Sequence, residues 1–160
     1  MGYSHYWNFK GKVAPAEIEG GKQKWENAIS KVKEALAYVQ DKGIKIGNGM
    51  GQGTPEINDK IVIFNGKDDE AVETFCIEFN EPGWNFCKTC RMPYDLLVCL
   101  TLLAFKDAFG DDFEYTSDGI TKEAYEDREN NKYWKQVNFV PNGPEKEWQA
   151  AYDAWEEINA

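Results

Sequence analysis

Histidine is almost missing from this chain. The sequence holds one, His5, which excludes a two-histidine metal site and leaves any serine–histidine–aspartate or histidine-relay mechanism resting on a single residue. A second cysteine knuckle is missing too. Of Cys76, Cys87, Cys90 and Cys99, only Cys87 and Cys90 stand at C-x-x-C spacing, so a four-cysteine zinc ribbon is not expected, and neither a metal nor a cofactor is. Long hydrophobic runs are absent: the longest, residues 96–105, is interrupted by Thr101 and is too short to span a bilayer. The opening "MGYSHYWNFK" carries no apolar segment of the secretory kind, which implies a soluble, cytoplasmic protein whose cysteines are free thiols. Positive charge is scarce, with 18 Lys and Arg against 28 acids and a net charge of −10. Such a chain is repelled by duplex nucleic acid and by anionic membranes, and neither is expected as a direct partner.

Phosphate-binding fingerprints are missing as well. "GNGMGQG", residues 47–53, follows a short strand but leads into "TPEINDK" rather than a helix, and it lacks the Lys-Ser/Thr of a P-loop. It reads as a mobile loop able to close over a ligand.

Aromatic residues, in contrast, are plentiful. The 6 Trp, 8 Tyr and 9 Phe are spread over the 160 residues, which excludes a disordered class and implies one domain, residues 1–160, with a real core. "YSHYWNF" alternates with Tyr3, His5, Trp7 and Phe9 on one face, a strand pattern. Trp25, Ala28, Ile29, Val32, Leu36 and Val39 make the stripe of an amphipathic helix over 22–42, closed by Gly43. Strands are expected at "IKI", at "KIVIF" with a turn at Asn65-Gly66, and at "ETFCIEF". Residues 93–109 form a helix buried on most sides, expected to pack on the sheet of 60–65 and 73–79 with Ile63, Leu97, Leu100 and Leu103 deeply buried. "FEYTSDG" follows as a short strand, then a weak helix from the Thr121 cap to about 136, and a last helix with Pro144 at its first position. The order predicts an α+β fold: a small mixed or antiparallel sheet against a central helix, with further amphipathic helices.

Chemistry concentrates in "FCKTCRMPYD", residues 86–95. A C-x-x-C ahead of a helix is where a thiol pKa falls, but the βαβ setting of a redox fold and its facing proline loop are not found, and unrelated free thiols fit better. Lys88, Thr89 and Arg91 precede a helix start whose free N–H groups attract an anion, and Tyr94 could stack on a ring. With His5 and Trp7 these residues, including Cys87, are the candidate ligand-binding set. The alternative pairs Lys88 and Arg91 with acids such as Asp95 and Glu81. A Cys87–His5 nucleophile pair is a weaker option, requiring the first strand to reach the helix start. His5 alone reads as a packed sheet residue.

The chain resembles a family of small proteins of unknown function from bacteriophages, prophages and gut bacteria. The resemblance rests on "MGYSHYWNF", "IFNG", "ETF" and "FCKTCRMPYDLLV": members begin Met-Gly-Tyr-Thr-His-Tyr-Trp and carry Phe-Cys-Lys-Thr-x-x-x-Pro-Tyr-Asp. Ser4 stands where Thr is usual, and Cys90 lies outside the pattern. The match covers about residues 1–120, leaving an acidic helical part, about 121–160. Its signatures carry no activity; a small, acidic chain of this phage type without a catalytic constellation reads as an interaction protein rather than an enzyme, acting in the cytoplasm of a bacterial host on a host or defence component, in the manner of an anti-CRISPR. Residues 106–160 carry fourteen acids and six bases, so a basic, nucleic-acid-binding protein is the expected partner and Glu145, Glu147, Glu156 and Glu157 the expected contacts. The rival reading is a binder that sequesters an anionic small molecule such as a nucleotide signal.

Overall fold

The structure, a computed structural model, describes residues 2–83 and 85–160. Its fold is α+β, with two antiparallel sheets around a buried helix. Strand β1 (Ser4–Phe9) is central in the first sheet, between β6 (Phe86–Lys88) and β7 (Phe113–Ser117). In the second, β4 (Ile61–Gly66) pairs with β5 (Phe75–Glu78) and with the two-residue strands β2 (Ile46–Gly47) and β3 (Glu56–Ile57). Alternation orients β1 as its sequence implies: Tyr3, Trp7 and Phe9 are buried with His5, and Tyr6 and Asn8 face out.

Helix α1 (Gly21–Asp41) buries the predicted stripe except Leu36, which is half-buried, and Gly43 just beyond it, with a φ of 84°, lets the chain turn away. Helix α2 (Asp95–Phe109) has Leu97, Val98, Leu100, Leu102 and Phe105 fully buried, because α1, β7 and α5 (Lys146–Ile158) surround it. Leu103 and Ile63 are only half-buried, contrary to expectation: the main partners of α2 are α1, α5 and β7 rather than the strands of the second sheet. Rings join the layers, with Phe9 against Phe105, Phe109 and Phe113, and Trp7 against Phe75.

Three local expectations are corrected. Asn65 and Gly66 continue β4 instead of turning, since the Asn65 carboxamide bonds the backbone of Gly66, Val72 and Gly49. The stretch after the Thr121 cap breaks into α3 (Lys122–Glu126) and α4 (Lys132–Gln136) around a 3-10 turn. Pro144 precedes α5 by two residues, and Glu145 occupies the cap position.

The glycine loop is held on several sides. Asn48 Oδ1 accepts from Met50 and Gln52 N–H, and Gly49 O accepts from Asn65 and Thr74. A Cβ at Gly51, where φ is 79°, would stand 2.8 Å from the Ala71 Cβ, so close packing accounts for that glycine without a ligand.

Candidate functional site

The strand pattern turns His5 toward the first turn of α2, and the sheet register sets it beside Cys87 of β6 and Ser117 of β7. Its ring is fully buried. Nε2 lies 2.7 Å from Asp95 Oδ1, and Nδ1 lies 2.8 Å from Ser117 Oγ. Cys99, one helical turn after Asp95, puts its sulfur 3.6 Å from Asp95 Oδ2 and 3.7 Å from His5 Nε2. Thr89, from the turn after β6, donates its hydroxyl to Asp95 Oδ1. Tyr3 and Trp148 both pack edge-on with the His5 ring, at centroid distances of 5.1 and 5.5 Å.

The partners determine where the protons sit. Ser117 Oγ accepts from Trp148 Nε1–H at 2.9 Å and from Gly119 N–H at 3.0 Å, and neither donor can act as an acceptor there. With two donors already on that oxygen, its own proton is the one left for His5 Nδ1, an arrangement that matches an Nε2–H donating to Asp95. The buried Tyr3 hydroxyl beside them has no hydrogen-bond partner. The Asp95 carboxylate receives three side-chain donors at the N-terminal end of α2, where the helix dipole favours its charge.

His5, Asp95 and Cys99 each offer a ligand atom, all within 4.8 Å of one another. These atoms already bond one another: His5 Nε2 and the Cys99 thiol both lie against the Asp95 carboxylate. The serine is likewise committed as acceptor twice over. Among the described residues, four surface depressions, including the groove between residues 122–126 and 149–156, are lined by none of His5, Asp95, Cys99 and Ser117.

The ligand set read from the sequence is brought together around this network but mostly turned inward. Trp7, Cys87, Thr89 and Tyr94 are buried. Tyr94 donates its hydroxyl to the Glu73 carbonyl, and Asp95 pairs with His5 rather than with Lys88 or Arg91. Lys88 is exposed at the end of β6. The Arg91 guanidinium stands 4.0 Å from the Tyr3 ring centroid and pairs with Glu147 of α5, closing the network from outside. The first strand does reach the helix start, as a cysteine–histidine pair would need; yet Cys99, not Cys87, touches His5. Burial pushes the Cys87 thiol up to about 12, aided by Glu73 and Asp95 and opposed by the Tyr94 hydrogen bond. Burial and Asp95 raise Cys99 well above the ordinary thiol range. Both stay protonated near neutral pH, the opposite of an activated nucleophile.

Sequence reasoning missed Asp95, Cys99, Ser117 and Trp148 as partners of His5. A weak signal existed: Asp95 and Cys99 stand at i, i+4 on the most apolar helix, where polar side chains need internal partners.

A second site is open. A groove of about 450 Å³ between α3 and α5 is lined by Tyr125, Glu126, Pro144, Tyr152, Trp155 and Glu156, with Lys122 at its side. It shares Pro144 with a neighbouring depression at Ile120 and residues 139–146, where Phe139 and Val140 are 46% and 77% exposed. Of the four expected contact acids, Glu156 lines this groove and Glu157 is exposed on α5 with its carboxylate bonded to Tyr38. Glu145 is half-buried at the α5 cap, and Glu147 is engaged by Arg91. No helix among the described residues is long and apolar enough to cross a membrane.

In comparisons with known proteins, no family model, curated protein or solved structure matches the chain.

Proposed function

We propose that the protein is a non-enzymatic interaction module that acts by contact, binding a basic, nucleic-acid-binding protein of a bacterial host or its defence machinery. One observation carries this reading: the acidic C-terminal part leaves aromatic rings and carboxylates open side by side along the groove between α3 and α5, whereas His5, Asp95, Cys99 and Ser117 bond one another in a closed interior. An exposed apolar patch with a charged rim is the usual makeup of a contact surface, and like-signed acids steer an oppositely charged partner toward it. The phage-type resemblance supplies the biological setting.

The experiment is quantitative binding to purified basic nucleic-acid-binding proteins from a bacterial host, at low and high salt. The reading expects a specific partner whose affinity falls as salt rises and falls again when Glu126, Asp127, Glu129, Glu156 and Glu157 are neutralised together. A partner bound equally well by the neutralised variant, or binding only of nucleotides, would overturn it.

A further inference from the structure

We infer that the groove between α3 and α5 is a receptor for a guanidinium or alkylammonium side chain, presented on an extended basic segment of the partner. This rests on the interaction role proposed above and names the chemistry of its central contact.

Tyr125, Tyr152 and Trp155 give three aromatic walls, and Glu126 and Glu156 stand with them. Ring faces carry the negative side of the aromatic quadrupole, so a cation between them gains from the rings and from the carboxylates together. An anion would meet repulsion from both. A neutral apolar side chain would leave the carboxylates partly dehydrated and unpaired, which is costly.

Three further features fit a side chain on an extended backbone. The chain provides its own example of the contact, the Arg128 guanidinium carbon 4.3 Å from the Tyr125 ring centroid. The Tyr152 hydroxyl accepts from the Lys122 backbone N–H at 2.7 Å, which fixes that ring to the start of α3. The walls are thus set before a ligand arrives, and less order has to be imposed on binding. The volume, about 450 Å³, lies within the roughly 300–1,000 Å³ of ordinary ligand sites and exceeds what one side chain fills. The remaining room runs through Pro144 toward Phe139 and Val140, where neighbouring residues of a segment would lie.

Arginine is favoured over lysine, because a planar guanidinium stacks on a ring while its edge bonds a carboxylate. Lys122 also lines the groove and opposes part of the acidic charge there, one cation against the two carboxylates of Glu126 and Glu156.

The test uses an Arg-Gly repeat nonapeptide, its Lys-Gly and Glu-Gly counterparts, and the full-length chain, followed by two-dimensional NMR and calorimetry. The expected result is binding of the Arg-Gly peptide, weaker binding of Lys-Gly and none of Glu-Gly, with shifts at the Trp155 indole N–H and the amides of 122–126 and 149–156. Glu126→Gln and Glu156→Gln, both exposed and remote from the core, should each weaken binding about threefold. Trp155→Ala should weaken it at least tenfold. Equal binding of Arg-Gly and Glu-Gly, or affinity unchanged in both glutamine variants, overturns the receptor. A basic protein partner that binds all variants alike also overturns the groove but leaves the interaction role standing; peptide binding without any protein partner does the reverse.

Discussion

Trp148 and Trp155 lie two turns apart on the same face of α5, yet they serve two different sites. Trp148 is fully buried, gives its N–H to Ser117 and packs against the His5 ring. Trp155 is half-buried and lines the open groove. One helix therefore closes a polar network at its first turns and builds a receptor wall at its last. A buried polar group is costly without partners, and His5, Thr89, Asp95, Cys99 and Ser117 find theirs in one another, while the buried Tyr3 hydroxyl beside them has none. A surface can leave rings and carboxylates available, because water satisfies them until a partner replaces it.

That contrast can be broken at its buried end first. His5→Ala leaves the Asp95 carboxylate without its strongest donor in a closed site, and should cost about 3–5 kcal/mol in denaturant unfolding. A cost below about 1 kcal/mol would mean that the network is looser than described. Alkaline pH is the next lever. The raised Cys87 value means that the fold holds the protonated thiol. Below the ordinary thiol value of about 8.5 both states keep the proton and the stability is intact. Between there and about 12 the unfolded chain loses a proton that the native chain retains, so stability falls by up to about 1.4 kcal/mol per pH unit from this group. Unfolding measured from pH 8 to pH 11 should show the decline, and Cys87→Ala should make it shallower; an unchanged slope would remove Cys87 as its source.

Smaller effects sharpen the comparison. Trp148→Phe keeps a ring in place and removes the N–H given to Ser117, for a loss of about 1 kcal/mol in thermal or denaturant unfolding. Glu126→Gln with Glu156→Gln should move stability by no more than about 0.5 kcal/mol by the same measurement, as exposed substitutions do. A large loss there would mean that the groove acids belong to the folded framework.

The sequence reading went furthest where period and side-chain type agree. The inward phase of β1 was legible from the alternation of Tyr3, His5, Trp7 and Phe9, and α1 and α2 from apolar spacing and the glycines after them. Asn65-Gly66 misled, because the turn chemistry of that pair was overridden by the side chain of Asn65 bracing the next loop. The partners of His5 were not legible, since Asp95 and Ser117 lie 90 and 112 positions away and only the sheet register and the helix start bring them together. The groove was half legible. The acids of α5 and the stripe of Trp148, Tyr152 and Trp155 could be seen, but the packing of α3 beside them, which makes a concave site of three rings, depends on tertiary contacts that no local pattern encodes.

The most direct test of the contrast between closed network and open groove is an amide chemical-shift map of the chain titrated with the Arg-Gly nonapeptide. The account predicts shifts confined to residues 122–126, 139–146 and 149–156, with the amides of His5, Thr89, Asp95, Cys99 and Ser117 unmoved. Shifts centred on residues 86–99, with the α3–α5 groove silent, would contradict it and return the functional centre to the start of α2.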